Sequence, residues 1–205
     1  MKKNIQTILI ILLAIISCTT STNAEDKKNL PSSIKGDKVK WKDGTNDADA
    51  IILKDYVLEI LGSSGNSKMK SVDRNSSIHL DGKKVKIHKV SDPNVKASLG
   101  QGKIPDSFKK AGEFIPVLSG NGSDTDLIAP IGNIVVQLDP SIKGDKASDW
   151  ARKNGLKILN KLSFGNYYVI ESSAGIYYID LANSLIGKPG VISATPEFWT
   201  NKGLR

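Results

Sequence analysis

Of the 205 residues one is cysteine, Cys18, and two are histidine, His79 and His88. A single cysteine excludes an intrachain disulfide and any multi-cysteine metal site, so the fold has to be held by its core. Long apolar runs are also missing. The run from Ile8 to Ile16 holds nine residues, too few to span a bilayer. Single-sign charge blocks are absent as well: Lys and Asp alternate along the chain, so the formal net charge of +8 speaks for solubility more than for a polyanion-binding arm. Asp43, Asp47, Asp124 and Asp126 lie in predicted loops without calcium-loop spacing. The glycines at 62–65 and 100–102 lack the strand–turn–helix frame of a phosphate loop. No serine sits in a recognisable nucleophile turn, and His79 and His88 read as polar strand residues facing solvent. The expectation is therefore no catalytic residue, no metal and no cofactor.

What is present begins with an address. Lys2 and Lys3 precede the apolar run, so residues 1–24 read as a signal peptide and the protein as exported. Two cleavage sites compete. Ile15, Ile16, Ser17 and Cys18 match a bacterial lipobox, which would acylate Cys18 and give an envelope lipoprotein with the membrane touched only through that anchor. Thr22, Asn23 and Ala24 match an ordinary small-x-small site and a periplasmic or extracellular product. Loss of residues 1–24 removes Lys2 and Lys3 and no acid, which takes the formal charge from +8 to +6.

Residues 25–48 are polar, with Ile34, Val39 and Trp41 as their main apolar members, and read as a tether. Residues 49–128 read as a small β-rich domain. Ile51–Leu53 and Tyr56–Leu61 are two strand-like pieces separated by Lys54 and Asp55. Residues 78–80 and 85–90 alternate about Asp81 and Gly82, a hairpin signal. Pro93 to Pro105 has no assignment, and Phe114–Leu118 reads as extended.

Residues 129–199 carry the clearest periodicities. The pattern is strand 133–138, helix 145–154, strand 156–162, strand 167–171, helix 180–186 and strand 191–195. Ala147, Trp150 and Ala151 form one apolar stripe, and Leu181, Ala182, Leu185 and Ile186 form another. Asp145 and Asp180 are candidate helix caps, and Asn154 with Gly155 is a helix stop. The fold class expected is α+β, with a C-terminal ferredoxin-like βαββαβ domain after the β-rich one. Basic charge on such a sheet, with Tyr167, Tyr168, Tyr177 and Tyr178 as stacking candidates, invites an RNA-binding reading. Export argues against nucleic acid as a partner, and adjacent tyrosine pairs more simply place one ring in the core and one outside.

Residues 133–199 resemble the propeptides of subtilisin-like serine proteases. The likeness rests on Ile134–Leu138, on Trp150 to Gly155, on Tyr167–Ile170, on Leu181–Leu185 followed by Pro189–Val191, and on the closing run Val191–Phe198. The resemblance implies a non-enzymatic protein that binds a subtilisin-like serine protease, inhibits it and assists its folding. It implies a sheet packed on two protease helices, with Glu197 and Thr195 facing those helix N-termini. It further implies a tail, residues 200–205, extended through the substrate cleft, so that Thr200, Asn201, Lys202 and Gly203 fill subsites before the cut and Leu204 and Arg205 follow. Phe198 and Trp199 either cap the core or anchor the interface. A subtilase propeptide ordinarily precedes a catalytic domain, and none follows here. The adopted expectation is a free-standing propeptide-like protein. The alternatives are the prosegment of a truncated subtilase and a non-inhibitory envelope lipoprotein acting as an interaction module.

Overall fold

The computed structural model describes residues 34–35 and 37–202. The expected signal peptide, with Cys18 and Ala24, and the tail residues Gly203, Leu204 and Arg205 lie outside the described residues. The described chain is mixed α and β, with a mostly antiparallel sheet and few helices. Its first half comprises β1 (Ile34–Lys35), β2 (Lys38–Asp43), β3 (Asn46–Ile60), α1 (Met69–Val72), β4 (Ser77–Asp81), β5 (Val85–Lys89), α2 (Pro93–Gly100), α3 (Asp106–Ala111) and β6 (Glu113–Ser119). The second comprises β7 (Leu127–Leu138), α4 (Asp145–Lys153), β8 (Ile158–Lys161), β9 (Tyr167–Ile170), α5 (Ile176–Leu185) and β10 (Val191–Thr200).

Two long strands organise the sheet because each changes partner half-way. β3 pairs with β2 up to Ile51 and with β5 over Tyr56–Ile60, while β6 runs along its other edge. The change falls at residues 53–56, where the β3–β6 register shifts. The two strand pieces expected on either side of Lys54 and Asp55 are thus one bent strand. β7 pairs with β6 at Leu127 and Ile128 and with β9 over Ile134–Gln137, while β10 follows its opposite edge. Its bend is at Gly132 (φ 99°) and Asn133 (φ 67°). A Cβ on Gly132 would lie 2.8 Å from the Ser172 carbonyl oxygen, so this position needs glycine for its backbone angle and for space. β10 breaks register opposite, between Pro196 and Phe198. Beyond this irregularity the strand alternates as usual: Phe198 packs into one hydrophobic cluster and Trp199 into another.

In the second half the strand order is β10–β7–β9–β8, with α4 joining β7 to β8 and α5 joining β9 to β10. Both helices bury one face in a single cluster with Ile134, Val136, Leu138, Tyr168, Ile170 and Ala194. The expected stripe of α4 is there: Ala147, Trp150 and Ala151 are all buried. Burial of Trp150 alone contributes about 2–3 kcal/mol. The helix ends as Asn154 and Gly155 suggested. Gly155 has φ 66°, its N–H reaches the Arg152 carbonyl and the Leu156 N–H reaches that of Ala151, which is the Schellman arrangement. Asp145, expected to cap this helix, makes no side-chain capping bond. α5 starts four residues before the expected position, because Ile176, Tyr178 and Ile179 extend its buried face. Asp180 therefore lies inside the helix and Gly175 precedes it.

Two boundaries expected from composition are corrected. Residues 38–48, placed in a tether, form β2 and the start of β3, paired from Lys38↔Ile51 to Asp43↔Asn46. The few apolar residues of the supposed tether enter the core. Val39 is fully buried, and Ile34 and Trp41 pack on the same cluster as the two C-terminal helices. The boundary at 128/129 falls inside β7, so one sheet runs across it. The unassigned stretch from Pro93 to Pro105 holds α2, and α3 starts directly after it. Asp92 caps α2 by accepting from the Asn94 and Val95 amides, and Pro93 occupies its first turn, a start signal present in the sequence. These helices and α1 bury Met69, Val95, Leu99 and Phe108 with Phe114.

Candidate functional site

The residues expected to meet a protease are brought together on β10 and the turn after it, but most of their polar groups are used within the molecule. The Thr195 hydroxyl, expected to face a protease helix, accepts the Gly44 N–H of the β2–β3 turn at 3.1 Å. Glu197 sits at the irregular step of β10, and its carbonyl accepts the Tyr178 hydroxyl. Burial, aided by the nearby Glu197 carboxylate, pushes that hydroxyl well above its ordinary pKa, so it remains a donor. Phe198 stacks obliquely on Trp41, centroids 4.8 Å apart, and lies 6.2 Å from the Tyr178 ring. Trp199 pairs with Ala129 and packs against the cluster of Tyr56, Leu58, Ile87 and Ile115. Both aromatic rings therefore join the core.

The described part of the tail, Thr200 to Lys202, is the main correction. Thr200 is the last residue of β10 and pairs with Ile128. Asn201 donates its N–H to the Leu127 carbonyl, accepts the Leu127 N–H on its side-chain oxygen and donates its amide to the Thr125 carbonyl, each at 3.1 Å. The Lys202 ammonium lies 2.7 Å from the Asp126 carboxylate. Expected as the start of a displayed peptide, Thr200 to Lys202 are folded onto the chain's own 125–128 segment. The reason is local: a buried strand end leaves backbone groups that need partners, and Asn201 supplies them.

A different surface remains. The face of β7 and β9 turned away from α4 and α5 carries Val135, Gln137, Tyr167 and Val169, in register as Val135↔Val169 and Gln137↔Tyr167. None of these four belongs to the hydrophobic clusters of the described residues; Val169 is buried and the other three are half-buried. At its border Phe164 packs on the Tyr167 ring with centroids 5.5 Å apart, and Phe164 is 63% exposed. Leu159, 45% exposed, sits in the bulge of the edge strand β8. An exposed phenylalanine packed on a half-buried tyrosine, at the rim of the sheet face opposite α4 and α5, is suited to protein contact. Sequence reading missed Phe164, which lies in the β8–β9 turn rather than in a periodic element.

Both histidines are engaged within the first half. The His79 ring nitrogen lies 3.1 Å from the Asp124 carbonyl. His88, expected to face solvent, is buried and lies 2.9 Å from the Glu59 carboxylate. The correction follows from both faces of β5 being covered at this point: adjacent Ile87 and His88, which point to opposite sides of the strand, are both buried. Asp37, Asp55 and Asp124 line an open cleft of ≈ 560 Å³. Asp55 is paired with Lys96 at 2.8 Å, and Asp124 accepts the Tyr56 hydroxyl at 3.0 Å, so those carboxylates act as structural partners. Burial, then the bond to Asp124, raises the pKa of Tyr56. Among the described residues no group of three His, Cys, Asp or Glu side chains could hold a metal, and no helix is long and apolar enough to cross a membrane. Comparison with protein-family models, with curated proteins and with solved structures returns no match in any of the three.

Proposed function

We propose that this protein is an exported, non-enzymatic binding module and that its partner is a subtilisin-like serine protease. In this reading residues 127–200 form a ferredoxin-like domain, supported by the antiparallel order β10–β7–β9–β8 with both crossover helices on one face. The protease docks on the other face, over Val135, Gln137, Tyr167 and Phe164. Exposed Phe164, packed on the half-buried Tyr167 ring, is the single observation that carries this surface. The choice of partner rests on the resemblance of residues 133–199 to subtilase propeptides.

The mode of binding differs from tail-in-cleft inhibition. Asn201 and Lys202 would have to leave Thr125, Asp126 and Leu127 before the tail could enter a cleft. Docking through the sheet face alone tethers or chaperones a protease without blocking its cleft. Affinity for a panel of purified subtilases, measured by calorimetry beside peptide-hydrolysis assays, tests both parts. The expected result is binding by the full chain, weakened by about tenfold or more in Phe164→Asp, with little inhibition. Equal binding by Phe164→Asp overturns the surface. Failure of the wild type to bind any member of the panel overturns the partner. A second reading, a non-inhibitory envelope module with another protein as partner, is favoured by the folded-back tail, and acylation at Cys18 would support it.

A further inference from the structure

One buried ionisable cluster in the first half has no part in the proposed binding surface. The carboxylate of Glu59 on β3 and the imidazole of His88 on β5 are each 2% exposed. Their strands pair directly, Glu59 opposite Lys86 and Val57 opposite His88. The His88 Nε2 atom is 2.9 Å from Glu59 Oε2. The same oxygen accepts the Ser67 hydroxyl at 2.5 Å, and Oε1 accepts the Lys68 N–H at 2.5 Å. The Ser67 oxygen in turn accepts the Met69 N–H at 3.2 Å. Three donors from two separate segments thus converge on one carboxylate. Through them the loop of residues 62–68 and the start of α1 are held to the sheet, and Met69 is fixed in the core with Leu99, Phe108 and Phe114.

We propose that the Glu59–His88 pair is an acid-sensitive latch, holding loop 62–68 and α1 on the sheet at neutral pH and releasing them as His88 takes up a proton. Accepting bonds from Ser67, Lys68 and His88 suits a carboxylate, so the neutral imidazole donates from Nε2. A second proton on the ring places a cation in a site with almost no access to water. Facing it are Glu59 on β3, Lys86 on β5 and Lys70 on α1. Lys86 is paired with Asp81 of β4 at 2.7 Å, and Lys70 donates to the carbonyls of Arg74 and Ser76. Across the β4 ladder His88 meets the uncharged Ile78. Burial is the largest influence and lowers the His88 pKa. Glu59 opposes this, and the two lysines reinforce it.

A histidine lowered in the folded state binds fewer protons than its unfolded counterpart once pH drops below the ordinary histidine value. The latch is therefore intact above that value and weakens as pH falls toward the lowered one. The other end of α1 behaves differently. Burial alone would raise Asp73, but bonds from the Ser91 hydroxyl and amide and from the Asp92 and Asn75 amides outweigh it and hold that carboxyl below its ordinary range. Asp73 keeps its grip to lower pH, so mild acid frees the start of α1 first.

Amide hydrogen exchange of the full chain at pH 7.5, 6.5 and 5.5, corrected for intrinsic rates, tests the latch. Protection at Lys68 and Met69 is expected to fall on acidification, approaching about tenfold per pH unit, the limit for one proton. Amides of β7 and β9 should hold. His88→Gln keeps a donor and cannot titrate, so its protection should be flat over the same range. An equal fall in His88→Gln, or no fall in the wild type, overturns the proposal. Should His88→Gln not fold, the proton NMR titration of the two wild-type histidines decides. The latch requires His88 to titrate below the ordinary histidine value, with its midpoint shared by the loss of Lys68 protection. Different midpoints overturn it.

Discussion

The two halves of the sheet solve the same problem, a long strand that changes partner, by different means. In the second half β7 bends on glycine: Gly132 takes φ 99° and lies against the Ser172 backbone. The core beside it is almost wholly apolar, Ile134, Val136, Leu138, Trp150 and Ala182 among others. In the first half β3 bends at residues 53–56 without a glycine, and the surroundings are fastened by buried or half-buried polar knots. Glu59 with His88, Ser67 and Lys68 is one, Asp73 with Ser91 a second, and Tyr56 with Asp124 a third. Apolar packing is indifferent to pH, whereas knots of hydrogen-bonded ionisable groups carry a proton dependence. The second half should therefore be the platform and the first the part that responds to acid.

The comparison is tested most severely by Trp150→Ala, expected to cost about 3–5 kcal/mol. Because Val39, Ala50 and Ile52 of the first half pack into the same cluster, urea denaturation should show one transition for both halves. Two separate transitions would break the picture of a shared core. Trp150→Phe should cost far less, since the indole N–H is buried without a hydrogen-bond partner among the described residues. Next in size is Gly132→Ala, expected to lose about 1–3 kcal/mol from an unfavourable φ and from crowding against the Ser172 carbonyl. A melting temperature equal to wild type would show that the β7 bend does not need glycine. Thr195→Val should cost about 1 kcal/mol, because the partly buried Gly44 N–H loses its acceptor. If Thr195 instead served a protease helix, the variant would lose protease affinity and keep its stability. Lys202→Ala is the smallest, at about 0.5 kcal/mol or less, since the pair with Asp126 is part exposed.

Legibility also divided between the halves. The elements of residues 133–199 could be read because their helices carry apolar stripes at 3.6-residue spacing and the first of them stops at Gly155. Three bounds moved: α5 starts early, since Ile176 and Ile179 precede the expected Asp180 cap and belong to the same buried face, β7 begins at Leu127 rather than at 133, and β10 runs on to Thr200 rather than ending at 195. The first half was harder. β3 looks like two strands because Lys54 and Asp55 interrupt an apolar run, and nothing local says that the chain continues straight through. β2 looks like a tether because its outward side is Lys38, Lys40 and Lys42. α2 had a readable start in Asp92 and Pro93. The candidate site was the least legible. Thr195, Asn201 and Lys202 have side chains fit for a partner, and their own chain claims them across 151, 74 and 76 residues of sequence.

From the order of residues alone follow the period of each C-terminal element, the positions of the Gly155 stop and the Asp81–Gly82 hairpin, and the absence of any intrachain disulfide. Those are short-range matters, decided by backbone angles and by which neighbours along the chain share a face. Only the tertiary structure decided that Val39 and Trp41 belong to the core, that Glu59 and His88 meet, and that Asn201 closes the edge at Leu127. Each of these joins residues far apart in sequence, where the gain from burial and from satisfying a polar group appears only once the sheet has assembled.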